Sequence, residues 1–574
     1  MKKLVFSTIL AGLILAVTLA AGEIAARFLT SADENGNVYL GERRLLPYRF
    51  PVNSTRFRIG AYEEKRDKAY VVDHPLLGWT VGPNRSSENG LYHSNSRGIR
   101  SYPREYSSVP ESGTLRIALF GDSFTHGDEE PWYNTWAYYL ERYLNQAGIR
   151  AEVLNFGVGG YGFSQAYLRW LHQGREFQPR IVVIGFQGEN IQRTVNLFRS
   201  LYSDRTWLVF SKPRQIILPE GRLETINSPV IPPSEVADYL LNFSNRPLAR
   251  YEFWYNPENY RAPFWTRSRL GQIVYNCFRA GARDHRDYAE MAENGGTPEE
   301  VTGAVILSWG KEIRQAGAIP LVVHLPRRDH LRLIARDEIP AYYELLEEFQ
   351  SAGIEVADPG YELADNRRGC FHRSHYSLKA NRIVARVLSE RIESLIEEIG
   401  EREIYRRPPP RITEEDIFNQ VAADGSVDID IGDISDELFL EDGFYDREIY
   451  QSQDTARWTS GTSRIRLPLT AAGSETLVEI HLVAWGPRPA HLQASLDGVP
   501  LDPAESETSC RRFVISDSGQ ESRMAVLTIS VPTWIPAEVY SVRDHRRLGV
   551  MIDRIRVIPR PPPQTRSRDN RPRD

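Results

Sequence analysis

An alternation of short apolar runs with amphipathic stretches begins near residue 115 and constrains the fold more than any other feature of the sequence. The apolar runs predict strands at 115–120, 152–156, 181–184, 319–325 and 354–357, and helical spacing predicts helices at about 136–146, 164–173, 298–316, 339–352 and 378–398. Strands that alternate with helices build a parallel sheet covered on both faces. The sequence therefore predicts an α/β domain at residues 113–400.

Two segments depart from this alternation. Residues 200–296 are rich in aromatic residues and proline and are predicted to form an insertion. Its aromatic side chains suit either ordinary packing or a platform for sugars, and the sequence leaves both open. Residues 30–112 are polar and rich in loop-forming residues, and they are predicted to form a stalk and a lead-in that packs on the α/β domain.

A change of period after residue 442 predicts a second domain. Apolar and polar residues alternate at 478–482, 492–496 and 525–531, the pattern of half-buried strands, and no helical spacing interrupts them. This predicts an all-β sandwich at residues 443–559. A proline run and an acidic stretch predict a linker at 401–442, and the Pro- and Arg-rich residues 560–574 predict a disordered tail.

The N-terminus is predicted to be a membrane anchor, residues 1–29. Residues 4–22 carry no charge and follow Lys2 and Lys3. As a helix they span about 28 Å, enough for a bilayer core. A cleaved signal peptide is the alternative, because Ala20-Ala21-Gly22 resembles a cleavage site. With the positive end inside, the chain is a single-pass protein of the cytoplasmic membrane whose bulk lies outside the cytoplasm, in the periplasm or at the cell surface.

Composition excludes several partners and cofactors. The net charge of −6 gives no reason to expect nucleic acid. Only 7 of the 70 basic residues are lysine, and the arginines are scattered along the sequence, which predicts no basic patch and suits a neutral glycan. Gly157, Gly159 and Gly162 match a dinucleotide-binding fingerprint, but the next strand ends without the acidic residue that would bind ribose. No cofactor and no metal are predicted.

Three cysteines, Cys277, Cys370 and Cys510, are too few for a disulfide scaffold and lack the CxxC spacing of a zinc site. A single bridge between Cys277 and Cys370, which would leave Cys510 over, and three unpaired buried thiols are both open.

The segment Gly121-Asp122-Ser123 follows the first predicted strand directly. This order places Ser123 at the carboxyl end of a parallel strand, where open α/β sheets bind ligands. The amides of a helix that begins there would also be available to an oxyanion. A serine that only caps the helix is the alternative interpretation.

Three further blocks follow in order. Gly157–Gly162 comes after the second strand, Gly188-Glu189-Asn190 after the third, and His375-Tyr376-Ser377 before the last helix. With Gly121-Asp122-Ser123, these blocks resemble the SGNH (GDSL-type) hydrolase family over residues 113–398, the insertion excepted. The resemblance implies a flavodoxin-like α/β domain, and the C-terminal part looks like the β-sandwich units attached to bacterial surface-polysaccharide enzymes.

The resemblance also implies roles for particular residues. Ser123 would be the nucleophile and His375 its general base. The oxyanion hole would consist of the Ser123 amide, the Gly160 amide and the Asn190 side chain, with Asp122 in support. An adjacent base and donors aimed at the developing oxyanion are what acyl transfer by a serine requires.

One departure from the family pattern concerns the residue three positions before the histidine. Family members usually have Asp there, and this chain has His372. An imidazole cannot stabilise an imidazolium as a carboxylate does. A backbone carbonyl or another acid such as Asp365 could orient His375, the site could work as a Ser–His dyad, or it could be weakened.

These observations predict a membrane-anchored extracytoplasmic serine esterase that removes or transfers O-acyl groups, acetyl above all, on a cell-surface carbohydrate. Its partners would be an acylated carbohydrate or another small ester, and the membrane through the N-terminal helix. The alternative, motivated by His372, is a non-catalytic glycan-binding or polysaccharide-assembly protein that has kept the fold.

Overall fold

The structure is a computed structural model that describes residues 2–101, 104–203, 205–406, 414–422, 424–432, 436, 438–451, 454–470, 475–487, 491–504, 507, 509–515, 522–540 and 546–560. The chain divides into two units, residues 1–409 and 410–574. The proline run 408–410 and the predicted tail beyond residue 560 lie outside the described residues.

Five parallel strands form the central sheet of the first unit. They are β1 (Leu115–Phe120), β2 (Ala151–Asn155), β3 (Ile181–Phe186), β4 (Ile319–His324) and β5 (Glu355–Ala357). Their order in the sheet is β5-β4-β3-β1-β2, which is that of flavodoxin-like doubly wound sheets. Every residue of β1 and β3 is buried, as strands covered on both faces require. The predicted flavodoxin-like α/β domain is confirmed.

Helices cover the two faces of this sheet. Trp136–Gln146 and Leu378–Glu398 pack on one face, and Phe163–His172, Pro298–Gln315 and Tyr343–Ser351 pack on the other. Successive residues of a strand point to opposite faces, so Ile117 and Leu119 enter one core while Ala118 and Phe120 enter the other. Shorter helices stand at the carboxyl edge of the sheet or beside it: Ser123–His126, Trp132–Asn134, Gly174–Phe177, Glu189–Thr194, Arg328–Ile334 and Gly360–Asp365.

The lead-in segment packs on the α/β domain. It contains strands Thr30–Ala32, Val38–Leu40 and Arg43–Leu45, helix Val52–Lys65, and the hairpin Val71–His74 with Gly78–Val81. The hairpin brings Trp79 into the core, where its indole Nε1 donates to the carbonyl of Gly159 at 3.0 Å. Gln165 Nε2 donates back to the carbonyl of Leu77 at 2.8 Å. The lead-in therefore reaches the loop that follows β2.

The insertion forms a hairpin and several short helices. The hairpin pairs Arg214–Ile217 with Leu223–Ile226, and the helices are Arg199–Leu201, Pro233–Leu241, Phe243–Asn245, Pro247–Tyr251, Pro257–Tyr260, Phe264–Arg267, Arg269–Phe278 and Tyr288–Glu293. Phe243, Phe253 and Tyr255 are buried. For these aromatic residues the structure favours the packing alternative over a sugar platform.

The N-terminal helix spans Lys2–Leu29. Within Leu4–Leu29, an 18-residue stretch has a mean hydropathy of 2.4, and the helix could cross a membrane by length and composition, a test that a signal sequence would also pass. The end of this helix contacts the insertion, because the Leu270 amide donates to Glu23 Oε2 at 3.0 Å. Residues that follow the predicted cleavage site are therefore packed on the first unit.

Over its described residues the second unit is all-β apart from two short helices, Glu414–Phe418 and Pro536–Val539. Its antiparallel strands are Val427–Asp430, Leu440–Gln451, Asp454–Leu469, Glu475–Ala484, Gln493–Leu496, Val499–Pro500, Asp502–Pro503, Cys510–Ile515, Arg523–Ser530 and Met551–Arg560. They form one hydrogen-bonded sheet that encloses a core of residues such as Ile465, Ile480 and Leu527. The predicted all-β sandwich is confirmed.

One strand of this unit lies in the segment that the sequence assigns to the linker. Val427–Asp430 pairs with Met551–Arg560 and buries Val427 and Ile429, while Asp428 and Asp430 face outward. The two aspartates made this strand resemble the acidic linker around it. Of the two alternatives for the cysteines, the structure has the unpaired one, with Cys277 exposed and Cys370 and Cys510 buried.

Candidate active site

Ser123 begins a one-turn helix directly after β1. Asp122 caps that helix, since its Oδ1 accepts from the Phe124 amide at 3.0 Å. Gly121 allows this tight turn, because a Cβ there would lie 2.2 Å from Thr125 Oγ1. The turn leaves Ser123 lining a cavity at the carboxyl edge of the sheet. The capping role therefore belongs to Asp122, and the Ser123 hydroxyl is available for chemistry.

A chain of hydrogen bonds joins Ser123, His375 and Glu129. Ser123 Oγ lies 2.8 Å from His375 Nε2, and His375 Nδ1 lies 3.0 Å from Glu129 Oε1. His375 is presented by the hairpin that pairs Phe371–His372 with His375–Tyr376. Glu129 Oε2 also accepts from the Ser374 amide at 3.2 Å, so the carboxylate holds both the imidazole and the hairpin that carries it. The arrangement has a hydroxyl, an imidazole and a carboxylate in the order of a nucleophile, a base and an orienting acid.

The sequence did not indicate Glu129. Asp365 ends helix Gly360–Asp365 and, in the described part of the chain, forms no hydrogen bond with His375. His372 is exposed and its Nδ1 lies 3.7 Å from Glu130 Oε1. His375 is thus oriented by an acid that follows the serine block in sequence, where the family pattern has an acid before the histidine. The acidic run Asp128-Glu129-Glu130 was the signal that could have suggested it.

Arg100, in the lead-in segment, fixes the turn that carries Glu129 through hydrogen bonds to its backbone. The guanidinium of Arg100, which is 1% exposed, donates to the carbonyls of His126, Gly127 and Glu130. Its Nη1–Gly127 and Nη2–Glu130 distances are 2.7 and 2.6 Å. A buried arginine shared among three carbonyls holds the backbone on both sides of Glu129.

A second histidine, His126, is buried beneath the same turn. Its Nδ1 lies 2.5 Å from Asp128 Oδ1 and its Nε2 lies 2.8 Å from the Tyr70 hydroxyl. Burial, with the positive charge of Arg100, lowers the pKa of His126 to about 4. Burial raises the pKa of Asp128, but the His126 contact outweighs this effect and leaves that pKa below its usual value. The pair is therefore a neutral imidazole hydrogen-bonded to a carboxylate. This hydrogen bond, between two residues of the segment that leads to Glu129, stabilises the turn.

Gly160 lies opposite Ser123 in the wall of the same cavity. Its backbone has a φ of +79°, and a Cβ would lie 2.5 Å from Leu208 Cδ1, so the position requires glycine. Among the described residues, no hydrogen-bond acceptor is seen for the amides of Ser123 and Gly160. Two unpaired donors at one cavity are suited to an oxyanion.

Asn190 and Asp122 lie behind the cavity wall. Asn190 is 1% exposed, its Oδ1 accepts from Arg193 Nη1 at 3.1 Å, and its amide bonds to Asp122. Burial raises the pKa of Asp122 against the opposing effect of Arg193, whose Nη1 lies 3.2 Å from Oδ2. Asp122 and Asn190 therefore both accept hydrogen bonds from Arg193. The role of Asn190 in the oxyanion hole stays a prediction.

Five arginines line the cavity, which has a volume of about 690 Å³. They are Arg193, Arg199, Arg327, Arg328 and Arg373, and they come from separate segments of the chain. The fold gathers these side chains although they are scattered in sequence. The expectation that the chain has no basic patch is therefore wrong at this site.

No protein-family model matches the sequence, and the search of curated proteins returns no match. Among solved structures, a two-domain esterase active on acetylated mannans is 13% identical, with 78% of this chain and 91% of that chain covered and a TM-score of 0.25. An acetyl xylan esterase is 12% identical, with 48% and 100% covered and a TM-score of 0.26. A lipase/acylhydrolase from Enterococcus faecalis is 14% identical, with 49% and 96% covered and a TM-score of 0.26.

The strand order of the sheet and the placement of the four blocks define the fold of the first unit. The serine, glycine and asparagine blocks follow β1, β2 and β3, and His375 precedes the last helix. The first unit has the fold of an SGNH hydrolase.

Proposed function

We propose that this chain is a serine-dependent carboxylic ester hydrolase that acts on O-acyl groups of a carbohydrate. The observation that carries the proposal is the hydrogen-bonded chain from Ser123 Oγ through His375 to Glu129 at the edge of an open cavity. Unpaired amides at Ser123 and Gly160 supply donors for the oxyanion. The polar and charged lining of the cavity suits a hydroxyl-rich acyl carrier.

The first half of the reaction forms an acyl-enzyme. Ser123 Oγ attacks the carbonyl carbon of the ester while His375 Nε2 takes the hydroxyl proton. Glu129 holds the Nδ1–H bond and stabilises the imidazolium. The oxyanion of the tetrahedral intermediate accepts from the Ser123 and Gly160 amides. The intermediate collapses, the sugar oxygen leaves, and His375 returns the proton to it.

The second half releases the acyl group. A water or a sugar hydroxyl loses its proton to His375 Nε2 and attacks the acyl carbonyl. The Ser123–acyl bond breaks and the proton returns to Oγ. Water yields the free acid and a sugar hydroxyl yields a transferred acyl group, so hydrolysis and transfer use the same groups.

The location follows from the N-terminal helix. We propose that Lys2–Leu29 anchors the chain in the cytoplasmic membrane and that the remainder lies outside the cytoplasm. A mature chain that begins near Glu23 would contradict the anchor.

The competing function is a glycan-binding protein without activity. Its motivation was the absence of an acid before His375. Glu129 supplies that acid from another segment, which favours the enzyme.

Full-length protein in detergent tests the two functions. We expect wild type to hydrolyse p-nitrophenyl acetate and O-acetylated xylan and to react with a fluorophosphonate at Ser123, and we expect Ser123→Ala and His375→Ala to lose both properties. Ser351→Ala and His172→Ala, at exposed positions that end helices, are the matched controls. If wild type and both site variants are equally inert, the esterase proposal is wrong and the binding function stands.

A further inference from the structure

We propose that the cavity contains a subsite for an oxyanionic group of the substrate, a carboxylate or a phosphate, formed by Arg199, Arg328 and Arg373. The inference rests on the proposed function, since it names the class of ester that the site accepts. The five arginines of the cavity differ in whether they already form an ion pair with a carboxylate of the protein.

Two of the five arginines are neutralised within the protein. Arg193 lies 2.8 Å from Glu189 and 3.2 Å from Asp122. Arg327 lies 2.6 Å from Glu189 and 3.2 Å from Asp329. These ion pairs connect the loops after β1, β3 and β4 and leave no surplus charge for a ligand.

Arg328 and Arg373 form the first part of the proposed subsite, next to His375. Arg328 Nη2 donates to the carbonyl of Arg373 at 2.8 Å, and its guanidinium stacks 5.1 Å from the Phe371 ring. Arg373 stands at the turn of the histidine hairpin with a φ of +51°, two residues before His375. Neither guanidinium has a carboxylate within ion-pair distance in the described part of the chain.

Arg199 forms the second part, on the Gly160 side. A Cβ placed on Gly160 would lie 3.5 Å from Arg199 Nη1, so this guanidinium borders the proposed oxyanion hole. Nη1 donates to the Tyr202 hydroxyl at 2.6 Å, and the structure shows no carboxylate partner for Arg199 among the described residues. Three guanidinium groups without an ion-pair partner among the described residues therefore line the cavity that contains Ser123.

The geometry and charge of the guanidinium group indicate which class of ligand this subsite would bind. Its planar fork matches the two oxygens of a carboxylate or phosphate, and such charge-assisted bonds are stronger than neutral ones. Arg199 is half-buried, whereas Arg328 and Arg373 are exposed. Half-buried positive charge without an ion-pair partner is costly, and an anionic substrate would offset that cost at Arg199. The acyl carrier is thus expected to be an acidic glycan, a uronate or a phosphorylated sugar, in place of the neutral glycan that the scattered arginines suggested.

Paired substrates test the subsite through turnover. Full-length protein is assayed with O-acetylated polygalacturonate and with the same polymer after methyl esterification of its carboxylates. We expect KM for the free acid to be about tenfold lower, the effect of one or two charged hydrogen bonds. Arg328→Gln/Arg373→Gln should bring the two KM values together, whereas Arg222→Gln, an exposed arginine of the insertion hairpin, should leave their ratio unchanged.

Calorimetric binding separates this inference from the proposed function. Trigalacturonate, its methyl ester and inorganic phosphate are titrated into full-length protein, and binding needs no turnover. Binding of trigalacturonate that the double variant weakens about tenfold supports a carboxylate subsite, and equivalent binding of phosphate alone supports a phosphate subsite. Equal KM values for the two polymers together with no binding of any anion would overturn the inference, while hydrolysis of p-nitrophenyl acetate would still support the esterase.

Discussion

Glu129 bonds to His375 from a turn whose backbone is held on both sides by Arg100. The backbone around Glu129 is therefore positioned by hydrogen bonds of the lead-in segment, whereas its carboxylate bonds to the histidine hairpin. Its φ of +72° shows that the turn, and not residue preference, sets its conformation.

Replacement of Glu129 by Gln tests its role as the orienting acid. The amide keeps the shape of the side chain but cannot stabilise an imidazolium, so we expect kcat to fall by about 10²–10⁴ with little change in KM. The measurement is the steady-state hydrolysis of p-nitrophenyl acetate over a range of pH. Asp365→Asn is the control and should retain activity, since its carboxylate does not contact His375. Wild-type kcat in Glu129→Gln would show that the site works as a Ser–His dyad.

His126 predicts a pH dependence of stability. Its pKa is about 4 in the folded protein against 6.5 for an ordinary histidine. Below about pH 6.5, His126 binds a proton in the unfolded chain but stays neutral in the folded chain. The free energy of unfolding therefore decreases as the pH falls toward 4. At about pH 5 this effect amounts to about 2 kcal/mol.

Thermal denaturation of wild type and His126→Gln at about pH 7 and about pH 5 measures this contribution. We expect the difference in Tm between the two pH values to be smaller in the variant, which has no group that titrates at this position. An equal difference in both proteins would assign the pH dependence to other residues.

At the scale of residues, the sequence predicted those groups whose position follows from a local motif. Ser123 and Gly160 stand at strand ends, and His375 precedes a helix, so a linear pattern sufficed. Glu129 could not be predicted in this way, because it meets a histidine 246 positions away through a turn with positive φ. The same holds for the arginines of the cavity, which only the fold brings together.

At the scale of elements, the loop after β2 joins the lead-in to the site. Trp79 holds the carbonyl of Gly159, and the same peptide group carries the Gly160 amide, which lies at the cavity. Buried strands were predictable because each is a continuous apolar run between turn residues. Val427–Asp430 was not, because its outward aspartates resemble a linker and its partner strand lies more than a hundred residues away.

Gly160→Ala tests this loop as part of the oxyanion hole. The added Cβ would strain a backbone at φ +79° and meet Leu208 Cδ1 at 2.5 Å, so the amide must move. We expect kcat to fall by about 10²-fold or more, as loss of one oxyanion donor does, with KM changed less. In Gly159→Ala, the matched control, a Cβ meets only Asp128 Oδ2 at 3.3 Å, and a much smaller effect is expected. Equal losses in the two variants would contradict the assignment.

At the scale of the whole molecule, the site belongs to one unit. Ser123, Glu129, Gly160 and His375 all lie in residues 1–409, whereas the second unit has a hydrophobic core of its own. Units with separate cores commonly fold independently. The ester chemistry is therefore expected to be a property of the first unit alone.

A chain that ends at residue 409 tests this expectation. We expect its kcat/KM for p-nitrophenyl acetate to stay within about twofold of the full-length value, since no catalytic group is removed. Circular dichroism and thermal denaturation check that the shortened protein folds. A folded but inactive protein would show that the second unit contributes to catalysis.

The nucleophile and the acid are six positions apart on a single turn, and only the imidazole comes from elsewhere, on the two-stranded hairpin 371–376. Undocking of that hairpin would break both hydrogen bonds of the imidazole in one event, and its return would restore both. Catalytic competence thus depends on one local folding equilibrium rather than on three independent side-chain conformations. A substrate anion held by Arg373, at the tip of the same hairpin, would shift that equilibrium toward the docked state, so that binding of the anionic group favours alignment of the base.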